Sequence, residues 1–505
     1  MHRRVALVQP RIPDGNFSPN LGLLYLAAVL EKSGMQVRTF DESLDPGYLQ
    51  KLLAYRPSVV GFTVVTAAVK RVFQAARRIK ASLPETAVVA GGPHPSVLPE
   101  EVLACPGIDA CVVGEGEFAF LELCEAWVNG GTLDGVANLV RRSSGTMQRT
   151  PCRPLLTSAE LDALPYPAFH LLDLESVFAR MTHGLFRKGK RVLPIMTSRG
   201  CPYPCAFCCR TMGKRVRVRA ADKVLDEIGA LIDRYAIDEV YIEDDNFTMD
   251  RERALAILRG IRSRFPGLSV KFANGLRADR VDATLLEAIR AAGGYWIGFG
   301  IESGSPRVLG LMNKQLDLER ARSIVALAKD RGFKTGSNLI IGYPGETWSD
   351  ILQSIRFFRS LELDSLAIVN LVPFPGTEVR AICEERGYLT AAAQDWDNYY
   401  FGIADVRPLV HTPSLSATDT KLAIWLCYFL FYGISWKRLS RASSSLAMRF
   451  LPALAERIQA LAALPSPTGR PANRGTSGQS GLPDDPAGSR ETHRAPRRDA
   501  QARKA

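Results

Sequence analysis

Thr197-Ser-Arg-Gly-Cys-Pro-Tyr-Pro-Cys-Ala-Phe-Cys208 follows the largely apolar segment 191–196 and sets Cys201, Cys205 and Cys208 as CxxxCxxC on one short loop. Thiolates are the ligands that iron and sulfide select, and three of them can hold three irons of a [4Fe-4S] cube. The fourth iron is then left without a local cysteine, and an open coordination position is where a metal centre does chemistry. Two plainer readings compete, a zinc knuckle and a chance cluster in a chain with 10 Cys. Zinc usually takes four protein ligands in CxxC pairs or with spaced His, and neither a second pair nor a His cluster lies nearby. Cys209 supplies a fourth thiol by number, but adjacent cysteines rarely reach one metal in good geometry, so it reads as a packing residue.

With an aromatic, Phe207, before its last cysteine, the motif resembles the signature of the radical S-adenosylmethionine superfamily. That resemblance implies that Cys201, Cys205 and Cys208 ligate a [4Fe-4S] cluster whose open iron chelates S-adenosylmethionine. Reduction then cleaves the sulfonium to a 5′-deoxyadenosyl radical that abstracts hydrogen from a substrate. The protein supplies orientation and exclusion of solvent. An electron donor such as flavodoxin or ferredoxin is implied as a partner.

The remainder of the chain has to accommodate that chemistry. At 505 residues it is too long for one ordinary core, and 46% hydrophobic with 23% charged residues is the composition of a soluble globular protein. The net charge of +12 suggests nucleic acid, but from Leu464 onward eight Lys/Arg oppose four Asp/Glu, so a third of the excess sits in a Pro, Gly and Ser rich tail that reads as disordered. No nucleic-acid partner is expected. The first ten residues lack the apolar core of a signal peptide, and scattered cysteines that must stay reduced point to the cytoplasm. Residues 422–434 resemble a membrane span but are too short to cross a bilayer, and Lys437, Arg438 and Arg441 follow. A buried helix is the expectation there, with peripheral contact to a membrane or a lipid-like substrate as the rival.

From residue 4 to about 129, strand patterns at 5–8, 37–40, 59–63, 87–90 and 110–113 alternate with helical patterns at 21–33, 47–55 and 69–82. The fold class is therefore α/β, beginning with a doubly wound parallel sheet whose ligand end lies at the carboxyl termini of its strands. Those termini carry Gln9, Thr63, Gly91-Gly92 with His94, and Gly114-Glu115-Gly116. Glycines there let a ligand approach the backbone, although tight turns have the same composition. No GxGxxG follows the first strand, which disfavours a dinucleotide.

Together with residues 19–34, this pattern resembles the cobalamin-binding domain that precedes the barrel in one large branch of the superfamily. The resemblance covers residues 1–140 and implies that Gln9, Thr63, Gly91, Gly92, His94, Gly114, Glu115 and Gly116 face cobalamin. A departure is that the DxHxxG motif, whose histidine ligates cobalt in cobalamin mutases, is absent, and Asp14-Gly-Asn-Phe stands in the loop after the first strand. Many members of the radical branch lack it too. His94 is either a cofactor contact or a loop histidine that caps a helix.

Residues 141–190 read as a linker, entered through a hairpin of 138–142 and 146–149. The next domain, 191–390, repeats strand and helix, with strand patterns at 192–196, 239–243, 269–273, 296–301, 335–341 and 365–372. Six such units fit the partial (β/α)6 barrel of the superfamily, with catalytic groups at the carboxyl ends of the strands. Glu243-Asp244-Asp245-Asn246, Asn274 with Arg277, Glu302-Ser303-Gly304 and Gly342-Tyr-Pro-Gly-Glu follow successive strands. By resemblance, Asp244 or Asp245 meets the methionine amine, Glu302 and Ser303 the carboxylate or ribose, and residues 340–342, Ile341 and Gly342 among them, the adenine. Phe207, Asn274 and Arg277 complete that set, each acid competing with a solvated turn or helix cap. A helical region, 391–463, follows, rich in aromatics including Trp396, Tyr399, Trp425, Tyr428, Tyr432 and Trp436. It is expected to cover the barrel mouth.

The resulting expectation is a cobalamin-dependent enzyme that methylates an unactivated carbon of a small-molecule or lipid-like, hydrophobic substrate. Two cofactor domains on one chain make sense if proximity of their reactive centres is what the protein contributes. A non-methylating oxidative cyclase or rearrangement enzyme of the same architecture is the alternative. From another class comes an iron-sulfur redox or binding protein that does not turn over S-adenosylmethionine.

Overall fold

The computed structural model describes residues 3–13, 17–143, 145–181, 187–401 and 406–432, all within one compact unit, Met1–Ser443. Asp14 to Asn16, Ile434, Trp436, Lys437, Arg438, Arg441 and the tail from Leu464 lie outside the described residues, as does the expected helix beyond residue 432.

The first domain opens with β1 (Arg4–Gln9), whose four central residues are all buried. It continues through α1 (Leu21–Lys32), β2 (Gln36–Asp41), α2 (Tyr48–Tyr55), β3 (Val59–Thr63), α3 (Val69–Ser82) and β4 (Ala87–Gly91). Then come the short α4 (Pro93–Val97) and α5 (Pro99–Leu103), β5 (Ala110–Val112) and α6 (Glu117–Val128). Asn20 caps α1 by accepting the Leu23 amide at 2.9 Å. The sheet order β2-β1-β3-β4-β5 is parallel throughout and reverses direction between β1 and β3, the switch point at which such sheets bind ligands. Its two faces bury separate apolar clusters, as a doubly wound sheet requires.

One expectation changes here. The hairpin assigned to the linker is β6 (Leu139–Ser143) and β7 (Thr146–Arg149), and β6 pairs antiparallel with β5. The first sheet therefore has seven strands and extends to Arg149 rather than ending at 140. Leu139 and Val140 are buried because they close the apolar surface beyond β5, whereas β7 is solvated. The connector then holds α7 (Ser158–Ala163) and α8 (Leu174–Arg180).

The second domain begins at β8 (Val192–Ile195), followed by a two-residue pair, β9 (Ser198–Arg199) with β10 (Arg217–Val218). It runs on through α9 (Ala221–Tyr235), β11 (Glu239–Ile242), α10 (Arg251–Arg264), β12 (Ser269–Phe272), α11 (Ala283–Ala291) and β13 (Trp296–Glu302). After α12 (Pro306–Leu311) and α13 (Leu318–Asp330) come β14 (Lys334–Ile341), α14 (Trp348–Ser360), β15 (Ser365–Asn370) and α15 (Glu378–Glu385). Two parallel arcs, β8-β11-β12 and β13-β14-β15, are joined where the Leu276 amide donates to Gly298 O at 2.7 Å and the Gly300 amide to Leu276 O at 3.2 Å. Six parallel strands thus form an open, partial barrel around one large core.

An open barrel leaves an edge strand whose polar groups need partners. The last helix, α16 (Ala417–Tyr432), supplies them for β15. The Tyr432 hydroxyl accepts the Leu366 amide and donates to its carbonyl, both at 2.9 Å, and the Tyr428 hydroxyl accepts the Ile368 amide at 3.2 Å. The apolar segment from Leu422 is therefore a helix packed on the barrel, and no helix among the described residues is long and apolar enough to cross a membrane. The preceding turns, residues 391–398, touch both domains: Ala392, Ala393 and Trp396 pack with Val372 and Phe374 just past β15. Trp396 stacks edge-on against His94 of the first domain, with ring centres 5.3 Å apart.

Candidate functional site

The cysteine loop hangs from β8 and is closed by the β9–β10 pair. Gly200 sits at φ +91°, and a Cβ there would lie 2.3 Å from Arg215 O, so only glycine lets the strands of the loop meet. Beyond it the Cys201 amide donates to Gly213 O at 3.2 Å and the Cys208 amide to Cys205 O at 3.1 Å. Ala206 is pinned on both sides, its amide to Met312 O and its carbonyl to the Val379 amide. Phe207 packs with Ile340, Tyr343 and Val369 in a small apolar cluster under the loop.

Cys205 is buried and Cys201 half-buried. Cys208 is exposed, yet the atoms around its sulfur, and then Cys205 and Cys201, push its thiol up to about 12. Burial likewise raises Cys201, with Asp245 and Cys205 adding to the rise. The neighbouring thiols that raise Cys208 and Cys201 are the other cysteines of the motif, so the three lie close together, and they are held as thiolates only if a cation takes up the charge. Among the described residues no three His, Cys, Asp or Glu side chains converge tightly enough to share one metal ion. A cube gives each thiolate its own iron, and this donor set fits it. Cys209 is half-buried beside the three, its thiol raised by burial alone.

Around the loop, the expected ligand residues divide into those with free polar atoms and those already engaged. Asp244 is buried and accepts from the Thr197 amide at 2.6 Å, the Thr197 hydroxyl at 2.5 Å and the Ser198 hydroxyl at 2.6 Å. It fastens the base of the cysteine loop instead of meeting an amine. Asp245 is exposed and accepts only the Gly200 amide, at 3.2 Å, one residue before Cys201. Asn274, also exposed, donates to Glu243 O and Asp244 O and keeps its own carbonyl open. Arg277 is spent: it bonds Asp279 and the carbonyls of Lys314 and Gln315, and its plane lies 3.5 Å over the Tyr203 ring. Glu302, at φ +73°, pairs with Lys314 at 3.3 Å near Phe207.

Ser303 is fully buried against α14, 3.1 Å from the Ser354 hydroxyl. Ile341 belongs to the outer core, and it is Ile340 that packs with Phe207, since successive strand residues face opposite sides. Gly342, at φ +94°, donates its amide to Glu346 at 2.6 Å.

On the first sheet, Gln9 folds the following loop by accepting the Asn20 amide at 3.2 Å and donating to Ser18 O at 3.4 Å. Thr63, Gly91 and Gly92 are half-buried at adjacent strand ends, and a Cβ on Gly92 would lie 3.0 Å from Val64 N. Gly114 donates its amide to the Ser96 hydroxyl, and Gly116 starts α6. His94 is enclosed: its Nδ1 lies 3.3 Å from the Thr66 hydroxyl, Trp396 covers the ring, and burial lowers its pKa to about 4. As a ligand contact it is shut off by the chain's own tryptophan.

Glu115 departs furthest from expectation. Its carboxylate accepts Arg199 at 2.9 Å, Arg217 at 2.8 Å and the Leu156 amide at 2.7 Å, while Glu117 takes the other Arg199 nitrogen at 2.6 Å. Arg199 is only 5% exposed, two residues before Cys201. These acids clamp the cysteine loop onto the first domain.

Two further bridges join strand ends across the domains. Ser18, in the loop after β1, donates its hydroxyl to Glu243, just past β11, at 2.8 Å. Gly376, after β15, lies against Val97 of α4 so closely that a Cβ would meet it at 2.7 Å. With the Arg199 clamp, these contacts turn the carboxyl ends of both sheets toward each other.

Glu243 and Glu346 were not singled out from the sequence. Burial pushes Glu243 up to about 7, against the hydrogen bond from Ser18, and pushes the fully enclosed Glu346 up to about 8. The only available signal was their place within strand-end runs.

Comparison with known proteins adds independent findings. A family model described as the B12 binding domain matches residues 13–124, and one described as the radical SAM superfamily matches 195–358. An uncharacterized methyltransferase of Pyrococcus horikoshii is 32% identical, covering 83% of this chain and 88% of that protein. The cytidylyl-2-hydroxyethylphosphonate methyltransferase of Streptomyces wedmorensis is 30% identical, over 73% and 78%. Among solved structures, the radical S-adenosylmethionine methyltransferase TsrM of Kitasatospora setae, with cobalamin and a [4Fe-4S] cluster bound, shares the fold at a TM-score of 0.66 and 23% identity, covering 85% of this chain and 91% of that one.

Proposed function

Because the chain belongs to the branch of the radical S-adenosylmethionine superfamily that carries a cobalamin-binding domain, we propose that it methylates an unactivated carbon of a small-molecule substrate held between its two sheets. The observation that carries this reading is the facing of the two carboxyl edges, through Ser18–Glu243 and the Arg199 clamp. When bound, the cluster and S-adenosylmethionine supply a hydrogen-abstracting radical and cobalamin supplies the methyl group.

The chain's own residues do the positioning. Cys201, Cys205 and Cys208 would hold three irons of the cluster, with the loop shape set by Gly200 and Asp244. Asp245 and Asn274 offer free oxygens to an ammonium beside that loop, Glu302 with Lys314 offers a charged pair to the carboxylate and ribose, and Gly342 lets a purine lie on backbone. Across the gap, Thr63, Gly91, Gly92 and Gly114 leave the first sheet's edge low enough for a corrin to approach. Glu243, half-buried at the seam, is positioned to hold a proton near neutral pH.

The test is anaerobic reconstitution with iron, sulfide and hydroxocobalamin, followed by turnover of methyl-deuterated S-adenosylmethionine with candidate substrates. Transfer of the deuterated methyl together with 5′-deoxyadenosine is the expected result. Deoxyadenosine with an unmethylated, oxidised product points to the cyclase-type alternative, and no deoxyadenosine at all would overturn the reading.

A further inference from the structure

Between Cys201 and Cys205 stand Pro202, Tyr203 and Pro204. Proline has no amide hydrogen, so Tyr203 carries the only backbone donor of this span. That amide faces the Cys201 sulfur and favours its thiolate, against the burial that raises the thiol. Where Tyr203 sits therefore decides what the first cluster sulfur feels, and neither proline can replace it.

Two arginines from the segment after β12 hold this tyrosine. The Arg277 guanidinium lies 3.5 Å over its ring, and Arg280 Nε donates to its hydroxyl at 2.6 Å. Arg277 is itself locked. It is 7% exposed, and it also bonds Asp279 at 2.9 Å and the carbonyls of Lys314 and Gln315 at 3.2 and 2.8 Å. Those carbonyls belong to a strained turn: Asn313 and Gln315 lie at φ 51° and 47°, left-handed backbone that non-glycine residues hold only where the surroundings impose it. A strained turn and a buried cation spent on one tyrosine exceed what fixing the loop requires, because the Cys201, Ala206 and Cys208 amides already fix it.

We infer that Arg277 and Arg280 clasp Tyr203 so that its amide donates to the Cys201 thiolate, and that this clasp raises the reduction potential of the cluster. The inference rests on the function proposed above only in requiring a [4Fe-4S] cluster on the three cysteines. One-electron reduction adds negative charge to the cluster and its thiolates, and a hydrogen bond to a ligand sulfur stabilises the added charge. The Arg277 charge, which also favours the Cys201 thiolate, acts in the same direction. Tyr203 is thus a positioning residue that works through its own amide, and the arginines work through Tyr203.

The experiment uses the full-length protein, reconstituted anaerobically with iron and sulfide. It is titrated with dithionite in the presence of viologen mediators, and the reduced cluster is read by electron paramagnetic resonance. Tyr203→Phe keeps the ring under Arg277 and loses the Arg280 bond, whereas Tyr203→Leu loses both contacts. At the iron content of wild type, Tyr203→Leu should make reduction about tenfold less favourable, a fall of about 59 mV for one electron. Tyr203→Phe should fall between. Arg280→Gln should lower the potential of the wild type and leave that of Tyr203→Phe unchanged. If Tyr203→Leu fails to hold its irons, Tyr203→Phe and Arg280→Gln decide. One potential shared by all variants, whatever their melting temperatures, would make Tyr203 a structural pin and overturn the inference. So would additive shifts in the double variant, which would mean that Arg280 acts without Tyr203. Wild-type protein that takes up the cluster and makes no deoxyadenosine defeats the proposed function, and the potentials still decide the clasp. Wild-type protein that takes up no cluster overturns both.

Discussion

The two facing strand edges are built from the same residue types, glycines and carboxylates, yet they meet different fates. At the barrel edge Asp245 keeps free oxygen, and Glu243 holds a proton near neutrality. At the edge of the first sheet Glu115 and Glu117 are consumed by Arg199 and Arg217 from the other domain. An acid at a strand end is therefore a ligand group or a fastener according to whether a cation from elsewhere in the fold reaches it.

Removing the fastener should have the largest effect. Arg199→Ala leaves the buried Glu117 without its cation and Glu115 with Arg217 alone, a loss of about 3–5 kcal/mol. Urea unfolding should record it, together with poor iron retention after reconstitution. Within the barrel edge itself, the adjacent aspartates should separate. Asp244→Asn weakens three charge-assisted bonds under the cysteine loop and should cost about 2–3 kcal/mol with lowered iron content. Asp245→Asn should leave the melting temperature unchanged and weaken S-adenosylmethionine binding about tenfold or more by equilibrium dialysis. The reverse pattern would exchange their roles.

A smaller effect follows from Glu243. Its carboxyl is raised from 4.5 to about 7, so between those values the folded chain keeps a proton that the unfolded chain has lost. Stability falls as pH rises through that window and levels off above it. Glu243→Gln should flatten this part of the melting profile between pH 5 and about 7.5. The smallest change expected is Tyr432→Phe, about 1 kcal/mol, from the hydroxyl that serves Leu366.

Much of the fold was legible because β-branched runs and helical spacing are local. The third strand, 59–63, and the helix 69–82 fall as read. What escaped depends on partners distant in the chain. Nothing local marks residues 139–149 as strands that extend the first sheet, since their partner is β5. The Arg199–Glu115 pair spans 84 positions, and no periodicity reveals it. At the site, the gathering of three cysteines on one loop was legible from spacing, but Ser303 and Arg277 had suitable chemistry and are engaged with Ser354, Lys314 and Gln315. Within residues 340–342 the sequence could not say which isoleucine faces Phe207, because strand phase is set by the packing of its neighbours.

The helix that covers the last barrel strand also sets a clock. Tyr428 and Tyr432 follow the residues they serve by 60 and 66 positions. At roughly 5–20 residues per second of synthesis, that strand emerges from the ribosome about 3–13 s before its cover exists. During that interval the nascent barrel offers an unpaired edge to any other strand, so slowing translation between residues 370 and 432 should increase aggregation of this chain with no change in the stability of the finished protein.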